Sequence, residues 1–345
     1  MEEIAGSDPF PPLRIGLVYN LKKGNKSEAD DSEAEYDNIG TVNAIKDALE
    51  GGSWQVDTIE ATEDMFGKLL SRKPDIVFNI AEGSSGRARE AQVPAILDFL
   101  GIPFTGSDAT TLAISLDKAL TKRLLAQSRV RTPKYRVVSL NQAGFPNRFP
   151  FPAIVKPNAE GSSKGITDAA VVGNAGELRE VLSRNISLYH EDMLVEQYID
   201  GREFTVGILG NGSETTVFAP MEIVYRNRGN PYNIYSYNVK QNYSEFISYE
   251  CPAKISDELS KEIVNTARTV YNALGCKDFS RIDFRLSGDG ELHFIEINPL
   301  PGLAPGYSDY PMLAEFNGMP YKKLVRGILN SALKRYGMLR YIRQE

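Results

Sequence analysis

Apolar residues in the first third of the chain form short runs of strand length, separated by stretches with a period near 3.6. Leu13 to Tyr19, Trp54 to Glu60 and Asp75 to Ile80 are the runs, while Ile39 to Glu50 and Thr62 to Ser71 carry the helical spacing. Strand and helix alternate, which predicts a parallel sheet with right-handed crossovers. Ala91 to Leu100 continues as a helix, Ile102 to Ser107 as an extended turn, and Asp108 to about Ser128 as one long helix.

From Tyr135 the pattern restarts with strands at Tyr135 to Ser139 and Pro152 to Pro157, a helix at Asn174 to Ser183, and a strand at Met193 to Tyr198. Glu203 to Leu209 and Thr216 to Arg226 read as antiparallel strands joined at Gly210-Asn211-Gly212. A long loop follows, from Tyr225 to Tyr249, with six tyrosines and Arg226, Arg228 and Lys240; loops of this length are usually lids or binding loops. Ser256 caps a helix with an apolar stripe from Leu259 to Leu274, and Pro320 to Tyr336 forms the last helix. These changes divide the chain into a disordered tail at 1–12, an α/β unit at 13–106, a central unit at 107–197 and a C-terminal unit at 198–345.

Between the last two helices, Phe279 to Asn298 reads as a hairpin turning at Ser287-Gly288-Asp289-Gly290. A turn centred between Asp289 and Gly290 sets Arg281 opposite Asn298 and Asp283 opposite Glu296. All four then project from one face, because side chains alternate with a period of two. Two carboxylates, an amide oxygen and a guanidinium suit a divalent cation beside an anion; the alternative is a solvated face with a cross-strand ion pair.

Composition narrows the classes. The chain has 345 residues, enough for two or three packed units, and a formal charge of −6, which disfavours non-specific nucleic-acid binding. Cys251 and Cys276 are too few for a disulfide scaffold, so a cytoplasmic setting is expected, and both read as small apolar residues. No apolar run is long enough to cross a membrane, and Met1 to Pro12 is unlike a signal peptide. The acidic stretch between Asn20 and Asn38 reads as a solvated loop, with ammonium binding as the alternative.

Two turns carry candidate phosphate chemistry. Lys156 closes a strand before Glu160-Gly161-Ser162-Ser163-Lys164-Gly165, a flexible turn rich in backbone N–H and hydroxyl groups, though it lacks the ending of a P-loop. After the third strand, glycines in Glu82-Gly83-Ser84-Ser85-Gly86 let backbone approach a ligand, and Arg87 and Arg89 follow as candidate anion holders.

Thr105-Gly106-Ser107, Leu116-Asp117-Lys118, Val155-Lys156-Pro157, Glu160 to Ser163, Glu203 to Val206, Cys251-Pro252-Ala253, Arg281-Ile282-Asp283 and Glu296-Ile297-Asn298 with Pro301-Gly302 occur in that order. In this order they resemble the ATP-grasp superfamily, and within it the D-alanine:D-alanine ligases. The resemblance implies an α/β fold, α+β in its C-terminal half, with a Rossmann-like domain before the ATP-grasp domain. It implies a ligase that phosphorylates a carboxylate and lets an amine attack the acyl phosphate.

By position, Lys118 and Lys156 look like the lysines that hold ATP phosphates, and Glu160, Gly161, Ser162 and Ser163 like the closing loop, with Ser162 near the chemistry. Glu196, Gln197, Tyr198 and Ile199 resemble the segment touching adenine, Glu203 the acid on ribose, and Lys240 the lysine brought onto the γ-phosphate. Asp283, Glu296 and Asn298 become ligands for Mg²⁺, two ions with Mn²⁺ as a substitute, and Arg281 faces the acyl phosphate. Glu35, Glu82, Gly302 and Ser308 fall on the substrate side, and the family implies amino-acid substrates and a homodimer. Departures gather there: Glu82 stands where the family has histidine, Gln241 where tyrosine is usual, and Asp309 where an apolar residue is usual. They imply a changed donor; an authentic D-alanine:D-alanine ligase and an inactive nucleotide-binding regulator are the alternatives.

Overall fold

A computed structural model of the chain describes residues 11–24, 33, 35–52, 54–139, 149–161, 170–226, 232–236, 239–240 and 242–342. Most of the tail, and Ser162, Ser163 and Gln241, lie outside the described residues.

The alternating N-terminal pattern folds as expected. Strands β1 (Arg14–Tyr19), β2 (Gln55–Glu60) and β3 (Ile76–Asn79) form a parallel sheet in the order β2-β1-β3. Helices α1 (Ile39–Glu50), α2 (Met65–Arg72) and α3 (Gln92–Leu100) fill the crossovers, and Asn38 caps α1 by accepting from the Thr41 N–H at 3.0 Å. The core under this sheet runs on into the helix Tyr321–Arg335, so the first and last parts of the chain share one apolar cluster. Trp54 Nε1 donates to the Tyr341 carbonyl and Arg326 Nε to that of Ala48.

The long helix expected from Asp108 to Ser128 is two helices, α4 (Ala109–Leu116) and α5 (Lys118–Leu125). Asp117 ends one and caps the other, because its carboxylate accepts from the Leu120 N–H at 2.9 Å and is held by Asn158 and Arg87. The break places Lys118 at a helix start, where its own N–H reaches the Asn158 carbonyl.

Two antiparallel sheets complete the fold. One has strands β4 (Tyr135–Val138), β5 (Ala153–Pro157), β6 (Val171–Val172) and β7 (Met193–Gln197) in the order β4-β7-β5-β6, backed by α6 (Ala175–Tyr189). The other has β8 (Gly201–Leu209), β10 (Met221–Tyr225), β11 (Ile247–Glu250), β12 (Phe279–Ser287) and β13 (Leu292–Asn298) in the order β11-β10-β8-β12-β13, with β9 (Thr216–Val217) on β8. The expected tyrosine-rich loop is therefore partly regular: Tyr243–Phe246 is a short helix and β11 adds an edge strand.

The hairpin of β12 and β13 pairs as expected at one end, Arg281 with Asn298 and Asp283 with Glu296. Its turn does not lie where expected. Ser287 N–H bonds to Glu291 O and Gly290 adopts φ +86°, so the turn centres on Asp289. A bulge between Asp283 and Phe284 takes up the extra residue Ile295 and restores the register. Among the described residues no helix is long and apolar enough to cross a membrane.

Candidate functional site

Two cavities meet at the hairpin face. The first, about 770 Å³, lies between the two antiparallel sheets and is lined by Lys156, the segment Glu196–Ile199, Glu203, Lys240, Arg281, Asp283 and Glu296. The second, about 750 Å³, lies between the hairpin and the N-terminal unit. Lys240 and Arg281 line both.

In the first cavity the charges are interlocked. Glu196 is buried at the end of β7 and gives one carboxylate oxygen to each of two lysines, Lys122 at 2.8 Å and Lys156 at 3.0 Å. Lys122 also donates to the bulged Ile295 carbonyl at 2.7 Å. Burial lowers the Lys122 pKa, whereas for Lys156 the pull of Glu196 and Glu296 exceeds burial and raises it. Glu203 accepts from the Tyr225 hydroxyl at 2.7 Å and pairs with Arg285 at 3.2 Å; burial raises its pKa.

On the hairpin face Arg281 forks onto Asp283 at 3.1 and 2.9 Å and reaches Asp309 at 3.2 Å. Thr205 donates to Asp283 at 2.6 Å, and Lys118 lies 3.7 Å from Glu296. Burial opposes the Glu296 charge, but Lys118, Lys156 and Arg281 outweigh it and hold the carboxyl at about 2. Asp309 accepts from the Tyr235 and Tyr249 hydroxyls as well, so three groups anchor it at the start of the helix Asp309–Phe316. The set of two carboxylates and an amide on one ribbon face fits Mg²⁺, since hard oxygen donors stand beside lysines suited to phosphate.

The second cavity brings together the four residues expected on the substrate side, Glu35, Glu82, Gly302 and Ser308. Gly302 packs closely on Ser308: a Cβ there would lie 2.8 Å from the Ser308 hydroxyl. Glu35 is not a solvated loop residue. Its carboxylate pairs with Arg89 at 2.6 Å and accepts from the Gly161 N–H at 2.6 Å. Arg89 also holds Glu160 at 2.9 Å and the Ala159 carbonyl at 2.8 Å, while Lys118 donates to the Glu160 carbonyl. Arg89 thus ties the acidic loop to the start of the closing loop.

The glycine turn after β3 makes a close backbone contact within the chain. Gly83 has φ +78°, and a Cβ on it would sit 2.1 Å from the Arg89 carbonyl. This folds Glu82 back against Glu90, and ligand oxygens of Glu35, Glu82 and Glu90 lie within 4.8 Å of one another. Glu90 and Lys122 escape the sequence reading. The signal for Lys122 was its place one turn after Lys118; for Glu90 there was only its neighbour Arg89.

Fold and site define a peptide-bond-forming ligase of the ATP-grasp type. The chain belongs to the D-alanine–D-alanine ligase family: the family model described as "D-ala D-ala ligase C-terminus" matches residues 133–330. A D-alanine–D-alanine ligase of Bordetella petrii is 31% identical over 321 residues, covering 92% of each chain. One of Aquifex aeolicus is 33% identical over 313 residues, covering 90% of this chain and 99% of that one. In fold, the chain matches the D-alanine–D-alanine ligase of Bacillus anthracis complexed with ATP, with a TM-score of 0.74 at 23% identity over 94% of this chain and 99% of that one.

Proposed function

We propose that the chain is a cytoplasmic, homodimeric ligase that uses ATP and two Mg²⁺ ions to join two amino acids, and that its donor is not D-alanine. The observation that carries the donor reading is the acidic lining at Glu82 and Glu90, where a small neutral side chain would leave carboxylates unmatched. In this reading the units bounded at 13–106, 107–197 and 198–345 are the substrate domain, the lid and the metal-bearing half.

ATP enters the first cavity, with adenine against Glu196 to Ile199, ribose at Glu203, and phosphates at Lys118, Lys156 and Lys240. Asp283, Glu296 and Asn298 would hold Mg²⁺, which would supply charge neutralisation for the phosphates. A donor carboxylate oxygen attacks the γ-phosphorus and ADP leaves; the second amine attacks the acyl phosphate carbon and phosphate leaves. Arg281, fixed by Asp283 and Asp309, is preorganised beside the charge that develops. Glu160 and Gly161, tied to Glu35 and Arg89, begin the loop that keeps water from the acyl phosphate; Ser162 and Ser163 continue it.

Phosphate release from ATP across a panel of amino acids of both hands tests this. Stimulation by some amino acid other than D-alanine is expected. Strong stimulation by D-alanine alone makes the chain an authentic D-alanine–D-alanine ligase, and no stimulation by any amino acid or dipeptide refutes the ligase mechanism.

A further inference from the structure

Among the described residues the second cavity is lined by five acids, Glu35, Asp37, Glu82, Glu90 and Asp309, against three cations, Lys22, Lys240 and Arg281, so its lining carries two more acidic groups than basic ones. Arg89 faces two carboxylates, Glu35 and Glu160, so its single positive charge is spent before Glu82 and Glu90 are considered. Lys118 is engaged by the Glu160 carbonyl and Glu296. Arg281 is engaged by Asp283 and Asp309. Glu90 is only 8% exposed, yet its carboxylate has no hydrogen bond or ion pair among the described residues. Glu82 likewise has none. Burial, with repulsion from Glu35, raises the pKa of Glu90 to about 8 and that of Glu82 well above the carboxylate range, so the charged form of either acid needs a bound cation to hold it in the folded chain.

A buried acid without a partner costs stability, so its place beside a cavity of about 750 Å³ points to a cationic ligand. A bare metal ion fits poorly. Of the three clustered glutamates, Glu35 has both oxygens engaged by Arg89 and Gly161, which leaves only Glu82 and Glu90 of that cluster to ligate an ion. An organic cation fits better, because the same cavity reaches Arg281, Asn298 and Ser308, where the reacting carboxylate belongs. With Glu35 engaged, one α-ammonium neutralises one of Glu82 and Glu90, and the other remains open.

We propose that this cavity receives a donor amino acid with a second positive charge, an ammonium or guanidinium in its side chain, anchored by Glu82 and Glu90. The inference rests on the ligase reading above for the placement of the carboxylate. Gly83 follows Glu82 with φ +78° and packs on the Arg89 carbonyl next to Glu90, a contact that leaves no room for a Cβ.

The test is phosphate release from ATP by the full chain with lysine, ornithine, 2,4-diaminobutyrate and arginine against alanine, serine and 2-aminobutyrate, each in both hands. A cationic donor is expected to exceed every neutral one in kcat/KM by about tenfold or more, the value of one charge-assisted hydrogen bond. Glu90→Gln and Glu82→Gln should each shrink that ratio by about tenfold, and Glu90→Asp should retain most of it. A neutral donor preferred, or a ratio that neither variant moves, overturns the inference and leaves the ligase reading standing. Calorimetric titration with the same amino acids and a non-hydrolysable ATP analogue covers the opposite case. Selective binding of a cationic amino acid with turnover of none refutes the ligase mechanism alone, whereas no preference for a cation in either assay refutes the inference.

Discussion

Glu196 is the residue whose removal should reveal most about how the nucleotide cavity is held. It was expected to touch adenine, and it lines that cavity, but both of its oxygens are spent on Lys122 and Lys156. Glu196→Gln keeps the shape and strands two buried ammonium groups, since one amide oxygen cannot accept from both and the amide N–H₂ repels the other. Breaking a buried ion pair this way costs about 3 to 5 kcal/mol. At about 2.1 cal/mol/K per residue, 345 residues unfolding together have a transition entropy of about 0.7 kcal/mol/K, so Tm should fall by about 4 to 7 °C. Scanning calorimetry and urea titration measure it. Adding Lys122→Met removes one stranded cation, so the double variant should be more stable than Glu196→Gln alone. Losses that simply add, or a single-variant loss below about 1 kcal/mol, would refute the coupled triad.

Three further outcomes follow from the site. Glu296→Ala should abolish Mg²⁺-dependent phosphate release while leaving the circular dichroism spectrum unchanged; retained turnover would remove Glu296 from the metal set. Asp309→Asn should weaken the hold on Arg281 and lower kcat by roughly ten- to a hundredfold, with a smaller effect on KM for ATP, in steady-state kinetics. Glu90 and Asp37 are held up to about 8 and about 7, chiefly by burial. Each folded-state pKa lies above the unfolded value, so the folded chain keeps protons that the unfolded chain has released. Stability without substrate should therefore fall as pH rises through about 5 to 8, by up to about 1.4 kcal/mol per pH unit for each proton, and Glu90→Gln should flatten the slope. Urea titrations across that range check the sign.

The hairpin was legible because its chemistry obeys a two-residue period, visible as Arg281 and Asp283 on one strand and Glu296 and Asn298 on the other. Its register was reached through an offsetting pair of features: the turn centres half a residue earlier than expected, and the Ile295 bulge restores the pairing. The bulge in turn aims a carbonyl at Lys122, a link between residues 173 positions apart that no local pattern signals. The break at Asp117 was hidden for the same reason. Its capping carboxylate is held by Asn158 and Arg87, which only the folded chain brings near. Part of the tyrosine-rich loop becomes strand because β10 offers an open edge, and Ile247 packs there against Ile223 and Val239.

Charge explains why the family chemistry was readable and the donor was not. The groups proposed for ATP and Mg²⁺ are fixed by short, repeating signals: a lysine ending a strand, a lysine opening a helix, and an alternating hairpin. The groups facing the donor depend on which charges are left over once every internal pair is made. Glu35, in the acidic stretch read as a solvated loop with ammonium binding as the alternative, has its carboxylate engaged by Arg89 and Gly161. Glu90 looked unremarkable in sequence and proves to be the buried acid left over. Both Glu82 and Glu90 hang on the connection between β3 and α3, and Glu90 faces the hairpin across a smaller pocket that it shares with Lys118, Glu296 and Asn298. On the proposed reading donor choice and phosphoryl chemistry sit on separate elements, and among the described residues Lys240 and Arg281 face both cavities. On that reading a substitution at residues 82–90 is expected to change which carboxylate is activated and to leave the hairpin's part in activating it unchanged.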